Sequence, residues 1–195
     1  MIKSFEFYFD FISPYSFLAH KEIDKIEKKN SIKINYKPIL LGGLHNLHGI
    51  KAPAFIPAKA KHMIRDCKLI AEKNKVKFKF NSYFPIKSLN LMRGVLVAEE
   101  DNIKSYYINA IFNAIWQDGL NMNDENIIQK ILQNLNINPK TFALRSTSSI
   151  VKDSLRKKTT DAYEKGVFGA PTFVANSKIF WGQDRIEFAL KEANK

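Results

Sequence analysis

Apolar positions in the first forty residues follow the pattern of a strand, a helix and a second strand. Residues 5–9 (FEFYF) and 32–41 (IKINYKPILL) alternate apolar and polar side chains or run apolar, as β-strands do. Between them the periodicity predicts a helix from Pro14 to about Asn30. The chain therefore opens with a βαβ unit. The apolar face of the predicted helix carries Ala19, Ile23 and Ile26.

The middle of the chain repeats the period of amphipathic helices. Gly42-Gly43 is expected to break the chain after the second strand. Helices are then predicted at about 57–74, 88–101 and 103–118, and another begins near Asn123 or Asp124. The clearest apolar stripe consists of Ile108, Ile111, Phe112, Ile115 and Trp116.

The last fifty residues return to a mixed pattern. A helix is predicted at about 149–165, ending at Gly166, and a final helix begins at about 184. Between them FGAPTFVANSKIFWG reads as two short strands joined at Asn176-Ser177, which is a hairpin signal.

This order of elements predicts an α/β fold, a thioredoxin-like domain interrupted by an all-helical insertion domain. The thioredoxin-like domain is expected to comprise residues 1–41 and 150–195, and the inserted helical domain residues 42–149.

Composition narrows the classes of function. The 195 residues are 45% hydrophobic, which is enough for a well-buried core, and no apolar run approaches the roughly 18 residues of a membrane span. The first residues carry acids at Glu6 and Asp10 and no apolar signal segment, so a cytoplasmic location is expected. The formal charge of +12 comes mostly from dispersed lysines, 26 of the 31 basic residues. Because arginine is the residue that gives bidentate phosphate and base contacts, we expect no nucleic-acid partner, only a field that concentrates small anions.

Cysteine and histidine usage argues against redox and metal centres. Cys67 is the only cysteine, so an intramolecular disulfide, a CxxC centre or a cysteine-based zinc site is excluded, and Cys67 is expected to be a small apolar residue on a helix. His45 and His48 are three residues apart without a third ligand nearby, which favours an exposed loop over a metal site. No metal is predicted.

Ser13 has two readings. Serine followed by proline is the ordinary start of a helix, with Ser13 as the N-cap and Pro14 at the first position. A helix N-terminus at the carboxyl edge of a sheet also attracts anions. In thioredoxin-like enzymes a cysteine with a lowered pKa occupies this place. Here SPYS stands where CxxC would stand, so the protein cannot supply a thiolate of its own but could hold one that arrives with a ligand.

Three motifs resemble the family of 2-hydroxychromene-2-carboxylate isomerases and kappa-class glutathione transferases, which belongs to the DsbA-like thioredoxin superfamily. They are DFISPYSFLA near the N-terminus, FGAPTFV at 168–174 and FWGQDRIEFAL at 180–190. The resemblance covers essentially the whole chain. It implies glutathione as the cofactor, with its thiolate accepting a hydrogen bond from the catalytic residue Ser13.

The same resemblance implies the other residues that bind glutathione. Pro171 is expected to follow a cis peptide bond that exposes the backbone of Ala170 to the cysteinyl part of glutathione. Asp184 would accept a hydrogen bond from the γ-glutamyl ammonium, and Gln183 would lie near the γ-glutamyl carboxylate. Lys59 would reach glutathione from the helical domain. In structural terms alone, Asp184 is an acid in a first helical turn and Lys59 a solvated lysine.

The implied reaction is isomerisation of a conjugated aromatic pyruvate-like acid by reversible thiolate addition. A homodimer is also expected. GQDR and SPYSFLA resemble the isomerase branch more than the transferase branch. Conjugation of small electrophiles, as in kappa-class transferases, or glutathione binding without catalysis, are the alternatives. Ile50 stands where the family usually has asparagine, which puts one amide contact to glutathione in doubt. Disulfide oxidoreductase chemistry is disfavoured because no cysteine lies at the start of the helix.

Overall fold

A four-stranded mixed sheet joins the two ends of the chain. The computed structural model describes residues 3–29 and 32–195, and the strands lie in the order β2-β1-β3-β4. Strand β1 is parallel to β2 and antiparallel to β3, and β3 is antiparallel to β4. The strands are β1 Ser4–Phe9, β2 Lys33–Pro38, β3 Thr172–Ala175 and β4 Lys178–Trp181.

Helices fill the long segment between β2 and β3. This is the predicted α/β architecture, a thioredoxin-like sheet whose chain is interrupted by helices. The predicted domain boundaries stay predictions, and the predicted helix end at Asn30 lies outside the described residues. The helices are α1 Pro14–Lys29, α2 Leu41–His48, α3 Pro57–Lys73, α4 Leu89–Glu100, α5 Lys104–Trp116, α6 Glu125–Asn134, α7 Pro139–Ser146, α8 Ser149–Glu164 and α9 Ile186–Ala193, with short 3-10 turns at Pro53–Phe55 and Gln183–Arg185.

Helix α2 corrects the sequence analysis. The prediction of a strand reaching residue 41 and a chain break at Gly42-Gly43 was wrong, because β2 ends at Pro38 and α2 runs through both glycines. The expectation that His45 and His48 lie in an exposed loop was also wrong, since both are in α2 and His45 is buried. Packing against α8 stabilises this helix in spite of its glycines.

The core is an aromatic cluster on the face of the sheet that meets the inserted helices. The rings of Phe7 and Phe173, on neighbouring strands, stack with centroids 5.4 Å apart. Phe11 and Phe112 meet edge to face at 4.8 Å, and the buried Trp116 indole donates a hydrogen bond of 2.9 Å to the Phe11 carbonyl. The loop between β1 and α1 is therefore anchored to the inserted helices.

In the part of the chain that the structure describes, no helix is both long and apolar enough to cross a membrane.

Candidate active site

Ser13 caps helix α1 and also faces a cleft. Its hydroxyl accepts a 3.1 Å hydrogen bond from the Ser16 amide, which is the N-cap interaction expected from the sequence. The same hydroxyl donates a 3.0 Å hydrogen bond to the Ala170 carbonyl. Ser13 is only 5% exposed, yet it lines the cleft together with Ala170. The two readings of Ser13 are thus compatible.

Strand pairing explains why Ala170 lies beside Ser13. In the antiparallel ladder Tyr8 is opposite Thr172, so the residues that precede β3 lie next to those that follow β1. The Ala170–Pro171 peptide bond is cis, as predicted. The Thr172 hydroxyl donates to the Gly169 carbonyl at 2.7 Å and holds this turn in place.

Three helices begin at the cleft, whose volume is about 720 Å³. Residues of the first turns of α1, α2 and α3 line it, so three helix N-termini, each with a partial positive charge, lie at the same space. A negatively charged group in the cleft is therefore stabilised by several partial charges. The residues that these first turns contribute are Pro14, Tyr15, Leu41, Gly42, Ala58 and Lys59.

The charged side chains in the lining are basic. Lys59 lines the cleft, as do the imidazoles of His45 and His62, and the lining includes no Asp or Glu among the described residues. Burial lowers the pKa of His45, and the neighbouring His48 lowers it further. Among the described residues, Lys59 is the one lysine or arginine of the lining. His45 was missed as a cleft residue because the helix that carries it was missed.

Apolar side chains make up most of the remaining wall. Phe84 and Trp181 line the cleft. The Trp181 and Phe168 rings meet at 5.0 Å on the rim, and Trp181 is 54% exposed. Ile50 is also in the lining, so the departure from the family asparagine falls on the cleft itself. The cleft suits a ligand with an apolar body and an anionic group.

Gln183 and Asp184 lie outside the lining of this cleft, in the 3-10 turn that follows Trp181. This turn contacts helix α1, which begins next to Ser13. The Asp184 carboxylate is more than half exposed and pairs with Arg185 at 2.6 Å. The structure thus brings Ser13, Lys59 and Ala170 to one cleft and leaves the predicted ammonium acceptor beside it.

Among the described residues, no cysteine or tyrosine at the cleft is an activated nucleophile. Burial raises the pKa of the Cys67 thiol to about 12, and the thiol is fully buried on α3, as expected. Tyr15 lines the cleft and donates a 2.8 Å hydrogen bond to Asp66, and burial together with this acid raises its pKa. Both groups therefore stay protonated near neutral pH. Among the described residues no group of three or more His, Cys, Asp or Glu side chains could hold a metal ion.

Comparisons with known proteins identify the family and the fold of the chain. The model of the DsbA-like thioredoxin domain matches residues 5–193. A 2-hydroxychromene-2-carboxylate isomerase of Sphingobium xenophagum is 30% identical over 190 residues, covering 96% of both chains. The kappa 1 glutathione S-transferase of Rattus norvegicus is 23% identical, covering 93% of this chain and 87% of its own. A solved 2-hydroxychromene-2-carboxylate isomerase structure superposes with a TM-score of 0.88 at 25% identity, covering 98% of this chain and 94% of that one.

Proposed function

The chain belongs to the DsbA-like thioredoxin family, and from that premise we propose that it is a glutathione-dependent isomerase of the 2-hydroxychromene-2-carboxylate type. The resemblance found in the sequence is confirmed by relatives named as such isomerases and as kappa-class glutathione transferases. Both groups of relatives are enzymes, and this supports an enzymatic function. The substrate in this proposal is a conjugated aromatic pyruvate-like acid.

One observation carries the proposal: a serine hydroxyl, not a thiol, stands at the N-terminus of α1 beside the cis-proline turn. The only cysteine is buried and fully protonated near neutral pH. A thiolate at this place must therefore come with a ligand. The helix N-terminus and the hydroxyl supply the donors that lower the pKa of such a thiol.

The donors present fit glutathione at its sulfur and at its cysteinyl backbone. Ser13 would hold the sulfur, and the backbone of Ala170, presented by Pro171, would meet the cysteinyl part. Lys59 would pair with one carboxylate of the tripeptide. Gln183 and Asp184 would receive the γ-glutamyl end from the neighbouring turn, where Asp184 now pairs with Arg185. Because an exposed ion pair contributes little, exchange of this partner costs little free energy.

The chemistry that bound glutathione supplies is a thiolate for reversible addition to a conjugated carbon of the substrate. The protein's own residues stabilise and orient it. The Ser13 hydroxyl now donates to Ala170, and rotation about its C–O bond would direct the same proton at an anion in the cleft. The apolar wall that includes Phe84 and Trp181 excludes water from an aromatic substrate and strengthens every charge interaction inside.

A kappa-class-like transferase is the second candidate. The mostly apolar lining favours it, because a cleft of this kind accepts small neutral electrophiles as well as acids. Binding of glutathione without catalysis is the third, motivated by Ile50. A homodimer and a cytoplasmic location complete the proposal.

The test is turnover of an aromatic 2-hydroxychromene-2-carboxylate, and of a small electrophile, with and without glutathione. Isomerisation that requires glutathione but does not consume it supports the isomerase, and consumption of the thiol supports the transferase. Glutathione binding by calorimetry without either reaction would leave only a binding module.

Ser13→Ala is the first variant to measure, with Ser148→Ala as its matched control. Both serines cap a helix through a hydroxyl that accepts a backbone N–H, from Ser16 and Val151 respectively. Each change should cost about 1 kcal/mol of stability. Only Ser13→Ala should raise the pKa of the bound thiol and lower kcat, by about 10-fold or more. Equal kcat in the two variants would remove the role assigned to Ser13.

A further inference from the structure

A buried carboxylate lies beneath the Ser13 turn and contacts both walls of the cleft. Asp10 is fully buried at the end of β1. One of its oxygens accepts the Ile12 N–H at 3.1 Å, and the other accepts the Leu41 N–H at 2.8 Å. The Ser88 hydroxyl, just before α4, lies close enough to lower the pKa of this carboxyl.

The backbone of Asp10 adds a direct link to Ser13. Its carbonyl accepts the Ser13 N–H at 3.1 Å, so the residue holds the turn through main chain and side chain together. Ile12 and Ser13 form one wall of the cleft, and Leu41 begins the helix that forms another. A single residue therefore connects the serine to helix α2, through its carbonyl on one side and its carboxylate on the other.

Burying a carboxylate without water is costly unless each oxygen is paired. Burial raises the pKa of Asp10, whereas its N–H and hydroxyl partners act in the opposite direction. In either protonation state, a buried Asp10 stabilises the packing around β1 no more than an apolar side chain of similar size would. The presence of an aspartate at position 10 is instead explained by the positions in which its hydrogen bonds hold the neighbouring backbone.

We propose that Asp10 is a positioning residue, which fixes the Ser13 turn against the start of α2 so that the hydroxyl and the α1 N-terminus meet the same anionic sulfur. The inference rests on the proposed function, since it concerns how the thiolate is held. It assigns a role to a residue that never touches the ligand.

A role of Asp10 through its charge and a role through its hydrogen bonds predict opposite changes of the thiol pKa in Asp10→Asn. A buried negative charge near a thiolate disfavours it, so loss of the charge alone would lower the thiol pKa. An asparagine can accept only one of the two N–H groups, because its NH₂ group faces the other. The turn then loosens, the donors move away from the sulfur, and the thiol pKa rises.

The first arm of the test needs no glutathione. In a Ser13→Cys background, the pH dependence of alkylation by iodoacetamide gives the pKa of the introduced thiol, which the α1 N-terminus should hold below about 8.5. Adding Asp10→Asn should raise that pKa by about one unit and slow alkylation about tenfold at a pH below it. Mass spectrometry separates the introduced thiol from the buried Cys67.

The second arm uses the native Ser13 with glutathione. Asp10→Asn should lower kcat about 10- to 100-fold and raise the pKa of the bound thiol, with glutathione affinity kept within about threefold. Glu27→Gln is the control, because its carboxylate also accepts a backbone N–H, from Ile34 at 3.0 Å, but in contact with β2 rather than the cleft. It should leave both pKa values and kcat unchanged.

An unchanged or lowered thiol pKa in Asp10→Asn would overturn the inference. If Asp10→Asn does not fold, Ser88→Ala removes the hydroxyl that lowers the pKa of the same carboxyl and should shift the thiol pKa upward by a smaller amount. An unchanged thiol pKa in Ser88→Ala would likewise overturn the inference. An inactive wild-type protein would refute the proposed function, while the alkylation arm would still decide the role of Asp10.

Discussion

Asp184 is the residue whose predicted role the geometry supports least directly. It lies outside the cleft lining, more than half exposed, with its carboxylate on Arg185. If it accepts the glutathione ammonium, Asp184→Asn removes one charge-assisted hydrogen bond of roughly 1.5 to 3 kcal/mol and weakens glutathione binding about 10- to 100-fold. Calorimetric titration of both proteins measures this, and the melting temperature should change little.

Asp124→Asn is the matched control for this experiment. Asp124 also begins a helix and accepts the Asn126 N–H at 2.9 Å, but the helix is α6, away from the cleft lining. Its substitution should lower stability slightly and leave glutathione affinity unchanged. Equal affinities in wild type and Asp184→Asn would move the ammonium site to another residue.

His20 gives the protein a defined sensitivity to acid. It is 4% exposed, its ring nitrogen lies 2.7 Å from the Tyr36 hydroxyl, and its ring stacks on Phe112. Burial lowers the pKa of His20 from 6.5 to about 4. Between these values the unfolded chain binds a proton that the folded protein does not, so the free energy of unfolding falls as the pH falls. The loss reaches about 3 kcal/mol near pH 4, and above about pH 6.5 His20 adds no pH dependence.

Denaturant unfolding at a series of pH values tests this. His20→Gln should be less stable at neutral pH but should show a flatter decline between pH 6.5 and 4. His62→Gln, which removes an exposed imidazole, should keep the wild-type decline. A wild-type slope in His20→Gln would mean that other groups cause the acid sensitivity.

At the scale of elements, the sequence predicted the helices that carry a clear apolar stripe. It missed helix α2, which depends on tertiary contacts. The apolar stripe that includes Ile111 and Trp116 predicted α5 because that stripe faces the core. Helix α2 has two glycines, and what stabilises it is tertiary: α8 packs on it, and Asp10 accepts its Leu41 N–H. No local pattern reveals such contacts.

Helix α7 was missed for a different reason. Its signals are present, since Asn138 accepts the Thr141 N–H at 3.1 Å as an N-cap and Pro139 occupies the first position. With eight residues, it is too short for a periodic stripe to stand out. In the site, the motif resemblance singled out three residues that line the cleft, Ser13, Lys59 and Ala170. His45 and the hydrogen bonds of Asp10 follow from chain segments that meet only after folding.

Gly94 shows how closely α4 packs against its neighbours. A Cβ atom there would overlap the Tyr107 hydroxyl and lie 3.0 Å from the Phe142 ring. In an ordinary helix, Gly→Ala stabilises by up to about 1 kcal/mol. Here Gly94→Ala should instead destabilise by about 1 to 3 kcal/mol, because Tyr107 is buried and hydrogen-bonded to the Leu91 carbonyl.

Gly43→Ala is the contrasting variant. It lies in α2, where the added Cβ would make an ordinary 3.5 Å contact with Leu40. Chemical denaturation should show this protein to be equal to or more stable than wild type. A stable Gly94→Ala protein would show that α4 and Tyr107 can separate without cost.

At the scale of the whole molecule, the net charge of +12 and the cleft act in the same direction. The lining holds Lys59 and, among the described residues, no carboxylate, so the field of the protein leads anions to it. Such steering raises the rate at which anions encounter the cleft, and salt weakens it by screening the charges. The effect does not depend on the chemistry that follows binding. It therefore provides a separate test of the anionic substrate class.

Raising ionic strength from about 0.01 M to about 0.15 M shortens the Debye length from about 30 Å to about 8 Å. We expect kcat/KM for an anionic aromatic acid, at saturating glutathione, to fall about 3- to 10-fold over this range. A neutral conjugated electrophile should keep its kcat/KM within about twofold, because it has no charge to be steered. Lys59→Gln should reduce the salt dependence for the acid, whereas Lys152→Gln, an exposed lysine of α8, should leave it as in wild type. Equal salt dependence for the acid and the neutral compound would show that the basic surface does not steer the substrate, and the excess of lysine would then bear only on solubility.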